Sequence, residues 1–499
     1  FLETYTDTLG TSEDAIDYTS RDSETSRDFE NLGSQIMFRH VFSREGAELT
    51  SDINFNRIES VFRGDYLSYI NNNEVIQLQE GTGGQRVLTF QTDAKTPLNK
   101  GAKLEGGIRA NVRRYWSDYQ NYNYDPDLQT FVEIEELLVD YTFLDQVYAV
   151  YGQFSKSYQK WGWQAGLRAE SSDYSGELLS TDSVFEVKYP ISLFPSTFVN
   201  YKISDKQDIQ VNYSRRINRP SFFRLIPFMD YSDSLNLSRG NPGLLPEFTN
   251  SFELSYQNLF SRKNSVLITA YYKYTTDLMT RNQITEFSSY LNRDVVITTW
   301  QNANSSEAYG LEFIFKNGLT KWMDAVTNVN LYYSSIDGTN INESLTNARS
   351  SWFAKLNLSI KLPKKLSLQL TGDYNSRRAL DVSGSEGRGG GGGGGGGPGG
   401  GMFGGSVNTV VGYNESNYGV DAALRYDFYK DAMSLSIGIS DVFKTRRNIT
   451  YQESDYFIQT SENRRDWQVV RINYSWKFGK MDTSVFRRRG GGGGDMEMM

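Results

Sequence analysis

The sequence predicts an all-β fold: a transmembrane antiparallel β-barrel of about 18–22 strands, with short turns at one rim and long loops at the other. Three observations predict it. Apolar and polar residues alternate with period two in segment after segment. Most of these segments run about 9 to 13 residues, close to the ~9–11 that a tilted strand needs to cross a bilayer and roughly twice the soluble average. The connections between them fall into a short class and a long class.

The alternation is clearest when followed along the chain. Leu104, Ile108, Ala110 and Val112 face away from Lys103, Glu105, Arg109, Asn111 and Arg113. Trp352, Ala354, Leu356, Leu358 and Ile360 alternate with Phe353, Lys355, Asn357 and Ser359. Val420, Ala422, Leu424, Tyr426 and Phe428 alternate with Asp421, Ala423, Arg425 and Asp427. Met433, Leu435, Ile437 and Ile439 alternate with serines and a glycine, and Val470, Ile472, Tyr474, Trp476 and Phe478 with Arg471, Asn473, Ser475 and Lys477. Successive side chains of a strand point to opposite faces, so each segment makes one apolar and one polar face. A soluble sandwich would use shorter strands and would rarely carry this many charges inward.

Tight connections lie at Ser204–Gln207, Ser261–Asn264, Lys361–Lys365 and Tyr429–Asp431, and long ones at 218–249, 276–294, 335–350 and 377–416. Outer-membrane barrels keep short turns on the periplasmic side and long loops outside, which sets the orientation. Residues 1–33 read as a leading segment or outer loop and 34–479 as the barrel, with a glycine-rich outer loop over 384–405. Residues 480–499 read as a flexible, basic and glycine-rich periplasmic tail. The glycine run is no phosphate loop, because no Lys-Ser/Thr follows it and no strand-to-helix context surrounds it.

Composition narrows the function classes. The chain has 499 residues, no cysteine, one histidine, 8 Trp, 33 Tyr, 29 Phe and a formal charge of -8. Mean hydropathy is -0.54. No run of about 18 apolar residues occurs, as a spanning helix would need, but a barrel meets lipid only with alternate residues. The 14% aromatic content suits interfacial girdles. An acidic chain does not suit nucleic acid. Phe1 follows no initiator Met or apolar leader, so any signal peptide is expected to lie outside these residues.

Two passages carry a family resemblance. The first is Tyr213-Ser-Arg-Arg-Ile-Asn-Arg-Pro220, then Leu225-Ile-Pro-Phe228 and Asp230, then Arg239-Gly-Asn-Pro-Gly-Leu-Leu-Pro-Glu247 and the strand 250–260. The second pairs Tyr148-Ala-Val-Tyr-Gly-Gln-Phe154 with Trp163-Gln-Ala-Gly-Leu-Arg-Ala-Glu170. Weaker matches are Gln91-Thr-Asp93 with Pro97 and Leu98, and the ending Tyr474-Ser-Trp-Lys-Phe-Gly479. Together they resemble the TonB-dependent receptor-like outer-membrane β-barrel family, of the type abundant in Bacteroidota. The motif residues are Arg216, Arg219, Pro220, Pro227, Phe228, Gly240, Asn241, Pro242, Pro246 and Glu247. Physical chemistry gives them a structural part: Pro220 ends a ladder, Gly240-Asn-Pro242 is turn chemistry, and Arg216, Arg219 and Glu247 are placed to pair across the rim.

The resemblance implies 22 strands, an N-terminal plug and a segment that engages TonB. Neither plug nor TonB segment is recognisable here, and the first clear strand, 35–42, looks mid-barrel. The expectation is therefore part of a longer protein, against a barrel that works without its plug.

No catalytic constellation is expected. His40 shares a face with Ile36, Phe38 and Phe42, and no nucleophile stands near it. Glu133, Glu135 and Glu136, or Asp421 and Asp427, suit a wet lumen better than a cation site. No cofactor is implied. The resemblance implies uptake of a ligand too large for porins, with the outer-membrane lipid and a TonB complex as partners. The alternatives are a structural or assembly subunit of an outer-membrane complex, docking a surface lipoprotein or other outer-membrane proteins, and a passive pore. The long loops, on a rigid scaffold, are the candidate ligand contacts.

Overall fold

The structure, a computed structural model, describes residues 19–70, 73–98, 101–134, 138–179, 183–227, 229–230, 237–288, 293–341, 346–379, 412–429, 432–453, 458–463 and 468–478. Phe228, Glu135, Glu136, the glycine-rich stretch 384–405 and the tail 480–499 lie outside the described residues.

Among the described residues one 20-stranded sheet dominates. Three of its strands are short: Thr130–Glu133, Met229–Asp230 and Leu237–Arg239. The other seventeen form an antiparallel meander in which each pairs with its chain neighbours. They are β1 (Thr19–Val41), β2 (Glu48–Ile70), β3 (Asn73–Pro97), β4 (Ala102–Asp125), β5 (Val139–Tyr158) and β6 (Trp161–Leu178). Then come β7 (Ser183–Ser204), β8 (Gln207–Asn218), β9 (Glu247–Ser261), β10 (Asn264–Ser288), β11 (Arg293–Gly318) and β12 (Met323–Asp337). The series ends with β13 (Thr346–Leu362), β14 (Leu366–Asn375), β15 (Asn417–Phe428), β16 (Met433–Ile439) and β17 (Val470–Trp476). The short turns expected from the sequence lie on one rim; the opposite rim carries the long connection 219–246, but also the brief ones that join β2 to β3, β6 to β7 and β10 to β11.

Register explains why this sequence makes a membrane wall. On eight consecutive strands, β6 to β13, Trp163, Val199, Val211, Leu254, Ala270, Leu311, Leu331 and Trp352 stand directly opposite one another. They form one apolar row, and Val211, Leu254, Leu311 and Leu331 are about half exposed on the outer face. One residue away on each of six strands runs a polar row: Asn200, Gln210, Ser255, Thr269, Glu312 and Asn330. Ser255 and Thr269 of this row share a cross-strand hydrogen bond at 2.9 Å. A one-residue slip would exchange the rows and bring Glu312 to lipid, so register is strongly specified. This is the outward apolar band and polar interior of a transmembrane β-barrel.

Many strands are longer than the alternation implied; β10 has 25 residues and β11 has 26. The surplus continues past the bilayer on the long-loop side, where neither face needs to be apolar. The first strand likewise starts at Thr19, through a stretch rich in Ser, Arg, Asp and Glu. A separate 4-stranded sheet on that side joins Arg378–Ala379, Gly412–Asn414, Asn448–Glu453 and Ile458–Asn463.

Candidate functional site

Between β8 and β9 the chain leaves the wall and folds against its inner face. Asn218 is the last residue of β8, and the buried Pro220, which cannot donate to a ladder, turns the chain inward. A single helical turn follows, α1 (Phe222–Leu225). Leu225, Ile226 and Leu244 are fully buried in one cluster with Phe62, Tyr119, Tyr141, Phe143, Tyr174, Leu178, Met279 and Trp300. The cluster runs along the outer ends of β2, β4, β5 and β6, and the loop closes it against β10 and β11. The Tyr189 hydroxyl on β7 donates to the carbonyl of Leu244 at 2.7 Å.

The Gly-Asn-Pro passage is the pivot of this loop. The backbone of Asn241 donates to the carbonyl of Arg224 at 2.7 Å. Its side chain donates to the carbonyl of Trp300 at 2.9 Å and accepts from the amide of Gly243 at 2.8 Å. At Gly240 an added Cβ would stand 2.4 Å from the carbonyl oxygen of Ile226 and 2.8 Å from its nitrogen, so only glycine permits this approach. Pro242 is half-buried, Pro246 buried and Pro227 exposed.

The loop covers backbone that the meander leaves bare. Above Ser305, β11 has lost β12 as a neighbour, because that pairing ends at Asp337. Leu237 and Ser238 pair in parallel with Ile297 and Thr298 on that edge. β10 in turn lacks β9 above Thr276. There the carboxylate of the buried Glu247 accepts from the amide of Met279 at 2.8 Å and from Asn218 Nδ2 at 2.7 Å. Uncovered edges recruit other chains, and this covering removes the template.

The motif charges do not pair with one another as the sequence suggested. Arg219 reaches Glu170 on β6, and its Nε donates to Ser172 Oγ at 2.9 Å. Glu170 is buried between Arg219 and Arg168. Arg216 is exposed, opposite Thr249. Glu247 takes the neutral partners above because β8 and β9 bring Asn218, not an arginine, directly across from it. Arg239 forms a two-pronged pair with Glu286, at 2.7 and 2.9 Å.

Two arginines flank one indole. Arg224 lies 4.3 Å and Arg281 5.1 Å from the centre of the Trp300 ring. Burial pulls the Arg224 guanidinium below its ordinary range, and the carboxylate of Glu247 acts against that shift. Sequence reasoning missed this group. The apolar pair Leu225-Ile226 inside a polar loop was the available signal, since such a pair needs cover.

The sequence read 276–294 as a long connection, but the structure makes it the paired arms of β10 and β11 up to Ser288 and from Arg293, and two long connections meet this hairpin at β11. Asn302 Oδ1 accepts from the amide of Leu245 at 2.9 Å, and its Nδ2 donates to the carbonyls of Leu245 at 3.0 Å and Asp277 at 2.7 Å. From the other connection, Asn340 Nδ2 donates to the carbonyl of Asn302 at 2.8 Å, and Asn340 Oδ1 accepts from the amide of Asn304 at 3.0 Å. Leu245 of one connection and Asn340 of the other are thus tied to the β10–β11 hairpin at Asn302 and Asn304.

The residues considered for chemistry are placed as follows. His40 stands edge-on to Phe42, ring centres 4.6 Å apart. Asp421 pairs with Arg446 at 3.2 Å and Asp427 with Arg425 at 2.9 Å, while Glu133 is exposed on its short strand.

Residues 40–389 and 400–476 match a family described as the outer membrane protein beta-barrel family. No curated protein matches the chain by sequence. Among solved structures it is similar to the ferric yersiniabactin uptake receptor FyuA from Yersinia pestis, with a TM-score of 0.50 and 13% identity over 96% of this chain and 74% of that one. The copper transporter OprC gives 0.51 and 10% identity over 95% and 80%. The siderophore receptor PiuA from Acinetobacter baumannii gives 0.50 and 12% over 95% and 81%. At these identities the likeness is one of fold.

Proposed function

Because this chain belongs to the outer membrane protein beta-barrel family, we propose that it is a receptor-type transporter of the bacterial outer membrane, taking up a ligand too large for porins. The observation that carries the reading is the width of the wall together with what folds into it. Barrels of about 16–18 strands enclose an aqueous channel, and those with about 22 hold a plugged lumen. A wall of seventeen long strands whose inner face is polar leaves room for a large solute. The loop 219–246, folded inward and tied to the β10–β11 hairpin at Asn302, gives the mouth a defined surface rather than an open hole.

In this reading the mouth assembly captures the ligand, and energy delivered through TonB from the inner membrane opens the path. Chelated metal, glycan and peptide remain the ligand classes. The solved receptors and transporters of similar fold support uptake as the activity and do not select among these classes.

The test compares cells with and without the gene for accumulation of labelled iron chelates, oligosaccharides and peptides, each with and without a protonophore. Uptake that needs both the gene and the proton-motive force is the expected result. Gene-dependent uptake that ignores the protonophore makes the protein a passive pore. No gene-dependent uptake, with stoichiometric co-purifying proteins, makes it an assembly subunit.

A further inference from the structure

On the lipid-facing side of the wall, next to the short-turn rim, lies a cavity of about 660 Å³. That size falls within the ~300–1,000 Å³ typical of ligand pockets. Its apolar lining includes Phe42, Ala94, Leu104, Gly106 and Gly152, and Arg44 on the rim turn is also part of it. The strand alternation places it outside: Leu104, Ile108, Tyr148 and Val150, which share parity with Gly106 and Gly152, are all about half exposed. Gly106 and Gly152 are directly opposed on β4 and β5, and Ala94 on β3 stands opposite Gly106. Three small residues side by side make a dent where the rest of the row carries large side chains.

Three charged side chains beside it, Glu48, Lys95 and Glu105, belong to the opposite face. Glu48 pairs with Lys95 at 2.5 Å and with Arg39 at 2.6 Å, and Glu105 pairs with Lys103 at 2.7 Å. Lys95 and Glu105 lie between outward residues, so these positions present mainly backbone to the cavity. Arg44 is exposed, at the level where the short turns meet the periplasmic headgroups.

We propose that this cavity seats one acyl chain of a glycerophospholipid of the periplasmic leaflet, with the lipid phosphate at Arg44. The location selects the occupant. The cavity lies among outward-facing apolar residues, Leu104 on β4 and Leu167 opposite Gly152 on β6, and an unfilled void there forfeits dispersion contacts on every wall. A basic side chain beside an apolar slot at headgroup depth matches an anionic lipid in both its parts. This site is independent of ligand uptake, since it lies on the other side of the wall.

The glycines provide the test. A Cβ on Gly152 would meet nothing within 4 Å, so Gly152→Leu fills the dent without a clash in the wall. Gly372 has equally open space and also faces outward, opposite Leu356 on β13, far from the cavity. The protein is purified in mild detergent, titrated with palmitoyl-oleoyl phosphatidylglycerol and read by native mass spectrometry. One phospholipid is expected on the unmodified protein. Gly152→Leu is expected to weaken it at least about tenfold, equivalent to roughly 1.4 kcal/mol, and Gly372→Leu to leave it unchanged. Arg44→Glu, at an exposed turn, is expected to weaken it as well and decides the matter if Gly152→Leu fails the heat-modifiability test for folding. Equal binding by Gly152→Leu, equal loss in Gly372→Leu, or indifference to Arg44→Glu would overturn the proposal in favour of general lipid adhesion.

Discussion

Asn302 holds Leu245 as a strand residue would, accepting from its amide at 2.9 Å and donating to its carbonyl at 3.0 Å. A side-chain amide thereby continues the sheet where no strand is available. Asn302→Ala leaves the Leu245 backbone groups without this partner. A lost partner of this kind costs about 1–3 kcal/mol when the group stays buried, and less where water can reach it. Faster hydrogen exchange over 237–247, with unchanged exchange in β13 to β16, is the expected outcome; uniform exchange would mean that the loop is held elsewhere.

Gly240 and Gly243 stand three residues apart and should respond differently to alanine. At Gly240 the new Cβ meets the backbone of Ile226, and at Gly243 its nearest neighbour is Asn241 Oδ1 at 3.2 Å. Overpacking against backbone costs about 1–3 kcal/mol. Limited proteolysis should cut the 219–246 loop faster in Gly240→Ala than in Gly243→Ala.

Leu254 and Ser255 are chain neighbours on opposite faces. An arginine on the lipid face costs about 2–4 kcal/mol near the bilayer midplane and less near the interfaces. Leu254→Arg should lower the heat-modifiable, folded fraction, and Ser255→Arg, in the wet interior, should lower it less. Equal effects would contradict the assignment of faces.

Asp441, in the outer turn after β16, answers to pH. Burial raises its pKa, but the amides of Arg446 and Thr445, the Thr445 hydroxyl and the Arg446 charge outweigh that and hold it below the ordinary 3.8. A depressed carboxyl pKa contributes stability above the unfolded value and loses it as pH falls through the folded value. Pepsin should therefore cut the 440–447 turn more readily near pH 2 than near pH 4, beyond the enzyme's own pH profile. Asp441→Asn should flatten that difference.

How far the sequence could be read follows from where periodicity carries information. The rows through Leu254 and Ser255 were legible because lipid on one side and water on the other force alternation residue by residue. Past the bilayer that pressure ends. The polar start of β1 and the outer extensions of β10 and β11 therefore gave no period-two signal, and strand lengths came out short. The inward path of 219–246 was illegible for another reason. Contacts such as Asn241 with Trp300 and Arg219 with Glu170 span 59 and 49 residues and leave no local pattern. Turn chemistry did mark Gly240-Asn-Pro242 as a fixed point, without saying what it was fixed against.

The hairpin of β10 and β11 stands above its neighbours. From Ser305, the last β11 residue paired with β12 on the way to the tip, to Arg293 is twelve residues, about 40 Å at strand rise. Mechanically it is a cantilever, fixed in the wall at one end and braced by the loop from Asn302 as far out as Ile297. Its lateral stays beyond the wall include the contacts of that loop, with Asn302 the anchor nearest the wall among those described.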